Sequence, residues 1–201
     1  MDASTAGYSL TRNFFSDLGM TIAYNGQANR IGAILFVVAL MLLIVGMGSM
    51  VGFTVLFLTS DTSSRLWARL ATASLVAVCV AFAGVAFTPE NRAMGLHVGF
   101  TQWAWRISPA VALLLGVASK RNARLRRRAA VAWFSTACFL GVYAVLLSRG
   151  PSVNHPDGLV VQVIAQKAAS VVVIAAVLVA VHEVDRVGAV VRPAAAHRNH
   201  R

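Results

Sequence analysis

Acidic side chains are scarce in this chain: seven Asp and Glu stand against eighteen Lys and Arg in 201 residues. Charged residues of both signs make up only 12%, about half of what soluble domains carry. That shortage argues against an ordinary soluble domain and for a chain whose apolar residues meet lipid. Cysteine is nearly missing too. Cys79 and Cys138 each stand alone in an apolar run, with no partner at metal-ligand spacing, and read as small packing residues. Neither His97 nor His155 belongs to an H-x-x-x-H pair, so no metal is called for and no cofactor is implied. The first thirty residues are polar and mixed, without the apolar core of a signal peptide. No internal repeat is evident.

What the chain does have is long apolar runs. It is 58% hydrophobic with a mean hydropathy of +0.70. Runs of about eighteen or more apolar residues are read as membrane-spanning helices. The sequence predicts an all-α, polytopic transmembrane helix bundle with five spans, at residues 31–58, 66–87, 97–119, 129–148 and 159–182. Pro89, Pro151 and Pro156 fall between them, where a missing N–H costs nothing. The small-residue rows Gly48/Gly52 and Ala73/Ala77/Ala81 predict close helix packing. A polar segment 1–30 precedes the bundle. A basic tail, 183–201, follows it and is expected to be disordered.

Orientation follows from Lys120, Arg121, Arg124, Arg126, Arg127 and Arg128, six basic residues in a nine-residue loop. Short loops rich in Lys and Arg stay cytoplasmic. This topology anchor puts Arg65, Arg69 and the C-terminal tail inside, in a multi-pass cell-membrane protein with segment 1–30, loop 88–96 and loop 149–158 outside. The net charge of +11 is thereby explained by lipid head groups and topology rather than by nucleic acid, which is not expected as a partner. Membrane lipids are the expected partners, with helix–helix association or a homo-oligomer open.

The outer segments concentrate polar side chains: Asn13, Ser16, Asp17, Glu90, His97, Asn154, His155 and Asp157. Loops meet water, so solvated polarity alone explains much of this. The spans are harder to dismiss. Gln102 and Arg106 are four residues apart in the third, and Gln162 and Gln166 in the fifth, beside Lys167. At 1.5 Å per residue Arg106 lies roughly 13 Å and Lys167 roughly 12 Å below the outer end. Charges at such depth cost at least about 2.5–3.5 kcal/mol and normally face a bundle interior or wet cavity. Asp17, Glu90, Asp157 or a bound anion would compensate them, unless both side chains snorkel outward. Asp17 and His97 are the residues best placed for proton transfer, if the protein is an enzyme, which stays open.

The stretch Asn13-Phe14-Phe15-Ser16-Asp17-Leu18-Gly19, with Asn29 just before a span, resembles the prokaryotic membrane family called domain-of-unknown-function family 998. Phe87-Thr88-Pro89 with His97 downstream, and Gln166-Lys167, extend the likeness over residues 8–182. Thr88 interrupts the Phe-Pro pair of that family. The resemblance implies six spans, with one before the Ser-Asp-Leu-Gly element. A more distant similarity is to DRAM-like six-helix membrane proteins. The expected function is an outward-facing polar cavity for an anionic lipid head group or small anion. In it, Arg106 and Lys167 supply charge, and Gln102, Gln162, Gln166, Asn13 and Ser16 orient the ligand. A non-catalytic assembly protein with internally paired charges is the alternative. A small transporter is disfavoured because neither broken helices nor a repeat is seen.

Overall fold

The computed structural model describes residues 7–125 and 127–196, with side chains as far as residue 187. Arg126 of the basic loop and residues 197–201 of the tail lie outside the described residues. Among the described residues there are five α-helices and no named strand: α1 Arg30–Phe57, α2 Arg65–Phe87, α3 Glu90–Arg121, α4 Arg127–Arg149 and α5 Pro156–Ala196. Two short 3-10 turns, Phe15–Gly19 and Leu58–Ser60, complete the fold. The all-α bundle is the expected one. Four helices (α1, α2, α4 and α5) are long and apolar enough to cross a membrane, so this is a multi-pass membrane protein. Helix α3 is the polar exception because it carries Gln102 and Arg106. It lies between α2 and α4 and packs along both.

Boundaries follow local chemistry. Pro89 precedes α3 and Glu90 sits in its first turn, where a carboxylate faces the positive end of the helix dipole. Backbone angles at Ala93 (φ −141°, ψ 50°) break the helix there, so the turn Glu90–Arg92 is set apart from the rest of α3. Pro109 lies inside α3 and offers no N–H to the Trp105 carbonyl. One residue earlier, the Ser108 hydroxyl donates to the Ala104 carbonyl at 2.7 Å, the kind of side-chain bond that eases a proline within lipid. Helix α5 starts on Pro156 with Asp157 in its first turn and runs on to Ala196. It therefore passes His182 and enters the stretch expected to be a disordered tail. Its Ala- and Val-rich sequence there, unbroken by proline until residue 193, is compatible with continued helix.

The helices pack in chain order, α1 on α2, α2 on α3, α3 on α4 and α4 on α5. The core centres on α3: Trp105, Val111, Ala112, Leu115 and Ala118 meet Ala68, Ala71, Leu75 and Val78 of α2 and Trp133, Leu140 and Tyr143 of α4. Those positions recur every three or four residues, as a buried helical stripe does. Of the expected small-residue rows only Ala81 is buried. A Cβ on Gly48 or Gly52 would meet nothing within 4 Å, and Ala73 and Ala77 are exposed. In a helix apolar on every side, the row that packs cannot be told from the row that faces lipid. The close approach is made instead at Gly84, where a Cβ would run into the Phe100 ring of α3. Replacing Gly84 by Val should push α2 off α3 at a cost of about 1–3 kcal/mol, read as a lower midpoint of thermal unfolding. An unchanged midpoint would show that Phe100 swings away freely.

Candidate functional site

The chain before α1 folds back over one end of the bundle. An isolated bridge between Ile22 and Ala28 closes a turn that needs Gly26 at φ +80°. The Asn29 side-chain amide then donates to the carbonyls of Leu18 (3.2 Å) and Met20 (3.0 Å), tying the 3-10 turn to the start of α1. Helix α3 holds the same segment from the other side. Asn91 Oδ1 accepts from the Thr21 amide at 3.0 Å, and Arg92 Nε donates to Thr21 Oγ1 at 3.1 Å. From α5, Gln166 Oε1 accepts from the Phe15 amide at 3.1 Å, and Lys167 Nζ donates to the Asn13 carbonyl at 2.6 Å. Lys167 Nζ also lies 4.8 Å from the Phe15 ring centre and 5.4 Å from that of Tyr8. These are cation–π distances.

Within this cap two carboxyl groups are buried side by side. Asp17 Oδ2 accepts from Asn13 Nδ2 at 2.9 Å and from the Phe14 amide at 3.2 Å. Ser16 Oγ donates to Glu90 Oε2 at 3.2 Å, and Glu90 reaches Asp17 itself. Burial first, and the neighbouring Asp17 second, push the Glu90 carboxyl up to about 7. Burial also raises Asp17, against the hydrogen bonds from Asn13 and Phe14 that favour its charged form. The phenol of Tyr24, buried beside both acids, is held well above its usual range. Two buried acids in contact share a proton rather than both ionising. On α3, His97 Nδ1 lies 2.6 Å from the Thr88 carbonyl, so Nδ1 carries the proton and donates, leaving Nε2 as acceptor. Nε2 is buried with no hydrogen-bond partner among the described residues.

Beneath the cap is a cavity of about 640 Å³, bordered by all five helices, with α1 and α5 on facing sides and not packed closely on each other. Phe15, Ser16 and Leu18 form its roof. Its walls are apolar, from Leu35, Leu43 and Met47 of α1 to Ile174 and Val177 of α5, with Trp105 and Trp133 at the back. Polar side chains are few: Thr101, Ser108, Thr136, Gln166 and Ser170.

The structure thus joins Asn13, Ser16, Asp17, Gln166 and Lys167 of the expected site residues in one cap, with His97 close by. Three others lie elsewhere. Arg106 is exposed and bonds only weakly to the Ser148 hydroxyl, at 3.3–3.4 Å. Gln102 is half-buried one turn away, outside the cavity. Gln162 donates to the Leu146 carbonyl at 2.8 Å, bracing α5 against α4. Arg106 and Lys167 match in depth but not in direction around the bundle, so they do not form one anion site. Sequence reasoning gave Glu90 only a compensating charge and missed Tyr8, Phe15 and Tyr24. Their sole signal was aromatic residues beside polar ones in a segment with no periodicity. At the far end of the bundle, Arg121 lies over the Trp67 ring at 5.5 Å. There Asp61 accepts from the Ala123 amide at 3.2 Å. Lys120, Arg124, Arg127 and Arg128 cluster at this end with Arg65 and Arg69, opposite the acid pair. Among the described residues no three His, Cys, Asp or Glu side chains are grouped to hold a metal ion. No protein-family model, no curated protein and no solved structure matches this chain.

Proposed function

We propose that this protein binds a membrane lipid, taking an acyl chain into the cavity between α1 and α5. The observation that carries the reading is the roughly 640 Å³ apolar volume, within the 300–1,000 Å³ range of small-molecule pockets, lined by helices long and apolar enough to cross a membrane. Recognition rests on the acyl chain more than on an anionic head group. Arg106 lies outside the cavity, and Lys167 is turned to the Asn13 carbonyl. The polar rim by Ser16 and Gln166, with the acid pair behind it, is where a head group would lie. On the positive-inside argument this rim faces outward and the basic end is cytoplasmic. Membership of domain-of-unknown-function family 998 is proposed on the Asn13–Gly19 element and adds no reaction.

The competing reading is an assembly protein. It is favoured by α1, whose most apolar stretch has no buried residue, so that the crevice would receive a helix from another chain or a second copy. Native mass spectrometry on the protein released from lipid nanodiscs separates the two. Under the lipid reading the unmodified protein retains a lipid. Ala39→Trp and Ser170→Phe, which fill the cavity from α1 and α5, should reduce that adduct severalfold with unchanged helical circular dichroism. A lipid-free wild type, or filled variants that keep their lipid, would sink the reading. A lipid-free dimer would put assembly in its place.

A further inference from the structure

We propose that the segment Asn13–Met20 is a proton-latched roof over the cavity: it stays shut while Asp17 and Glu90 share a proton and loosens when that proton leaves. This rests on the lipid-binding reading for what the roof covers, but not for how it is held. Phe15, Ser16 and Leu18 touch the cavity from above, while Ser16 and Asp17 are the residues engaged with Glu90. One short turn therefore carries both the lid surface and half of the latch. The roof is not held by the acids alone. Gln166, Lys167 and Asn29 hold its backbone, so the closed state survives at low pH with these ties and the shared proton acting together.

The groups facing the pair come from three elements. On its own segment are Asn13, Tyr24 and Tyr8. On α3 are Arg92, engaged with Thr21, and neutral-tautomer His97. On α5 is Lys167, whose ammonium lies within electrostatic reach of Asp17. Two carboxylates ionised side by side in a buried site repel each other and lose their solvation. Opening to water relieves that repulsion.

The direction with pH follows. A Glu90 carboxyl that ionises near its ordinary 4.5 when the roof is open, and at about 7 when it is shut, makes closing take up a proton. Closure is then strongest below about pH 4.5, weakens as pH rises toward about 7, and changes no further above that. The gap allows a change on the order of a hundredfold in the closing equilibrium.

Hydrogen-exchange mass spectrometry of the peptide covering residues 13–20, on the whole protein in nanodiscs and corrected for intrinsic exchange, tests the latch. Between about pH 5 and about pH 8, wild-type protection should fall by tens of fold to a hundredfold. Glu90→Gln, which keeps the shape and a neutral side chain beside Asp17, should flatten that dependence and leave the roof protected throughout. Asp17→Asn should flatten it as well. Equal pH dependence in Glu90→Gln and wild type, or none in wild type, overturns the latch. A parallel measurement isolates the cavity. With Trp67→Phe and Trp103→Phe, the remaining Trp105 and Trp133 line it, and phosphatidylcholine brominated in its acyl chains should quench them more as pH rises. Exchange that opens without quenching keeps the latch and removes the lipid reading. Quenching with no pH dependence in either measurement keeps the lipid reading and removes the latch.

Discussion

Replacing Lys167 by Met should free the N-terminal cap from the bundle, while replacing the equally deep Arg106 by Leu should leave it in place. The Lys167 ammonium does three things at once. It donates to the Asn13 carbonyl at 2.6 Å, lies over the Phe15 and Tyr8 rings, and faces the charge of Asp17. A hydrogen bond involving a charged group contributes about 1.5–3 kcal/mol, and a cation–π contact about 0.5–2 kcal/mol. Part of that is offset by removing a cation from the membrane, so a net loss of about 2 kcal/mol is expected. Segment opening should rise roughly thirtyfold, seen as faster amide exchange in residues 8–20 with the helices still protected. Arg106 gives only long bonds to a neutral hydroxyl and is exposed, so Arg106→Leu should be neutral or stabilising. If Arg106→Leu loosened the cap and Lys167→Met did not, the division of the two cations drawn here would be wrong.

Truncating Trp105 to Ala should be the most destabilising single change in the bundle interior. Its ring packs edge-on against Tyr143 of α4 at 5.0 Å and against Phe82 of α2 at 6.1 Å, so one residue joins three helices. Large-to-small changes of this type cost about 3–5 kcal/mol in soluble cores. In lipid the transfer part shrinks, because the unpacked state is already apolar, but the lost van der Waals contacts remain. A loss of about 3 kcal/mol is expected, read as a lower unfolding midpoint in detergent or nanodiscs. Trp105 also borders the cavity, so its removal enlarges the space proposed for a lipid. Lipid retention should hold or increase while stability falls, the opposite of Ala39→Trp. Lipid loss in both variants would point to a damaged fold rather than an emptied cavity.

Much of the fold was readable before any contact was known. Apolar runs bounded by Pro89, Pro151 and Pro156 marked five helices, and the ends differ from expectation mainly in α3 and α5. The site was legible in part. Asp17, Ser16, Gln166 and Lys167 stood out because polar groups beside or within spans are costly, and the structure unites them. The pairing of Arg106 with Lys167 was misleading, because sequence gives height along a helix but not which way its side chain turns. Glu90 was underrated for a related reason. An acid in a loop looks solvated until the neighbouring chain covers it.

Composition and run length alone determined that this is a multi-pass helical membrane protein, because hydrocarbon admits a backbone only when its polar groups bond internally. They also put the segments carrying Asp17, Glu90 and Asp157 at one end and the basic loop at the other, since each crossing reverses the chain. Only the tertiary structure decided that the N-terminal segment roofs an apolar cavity and that two acids, Asp17 and Glu90, meet between it and α3. Helices apolar on every side carry no mark of which face packs. The rotation of each helix, and hence every meeting of side chains, is set by packing against its neighbours.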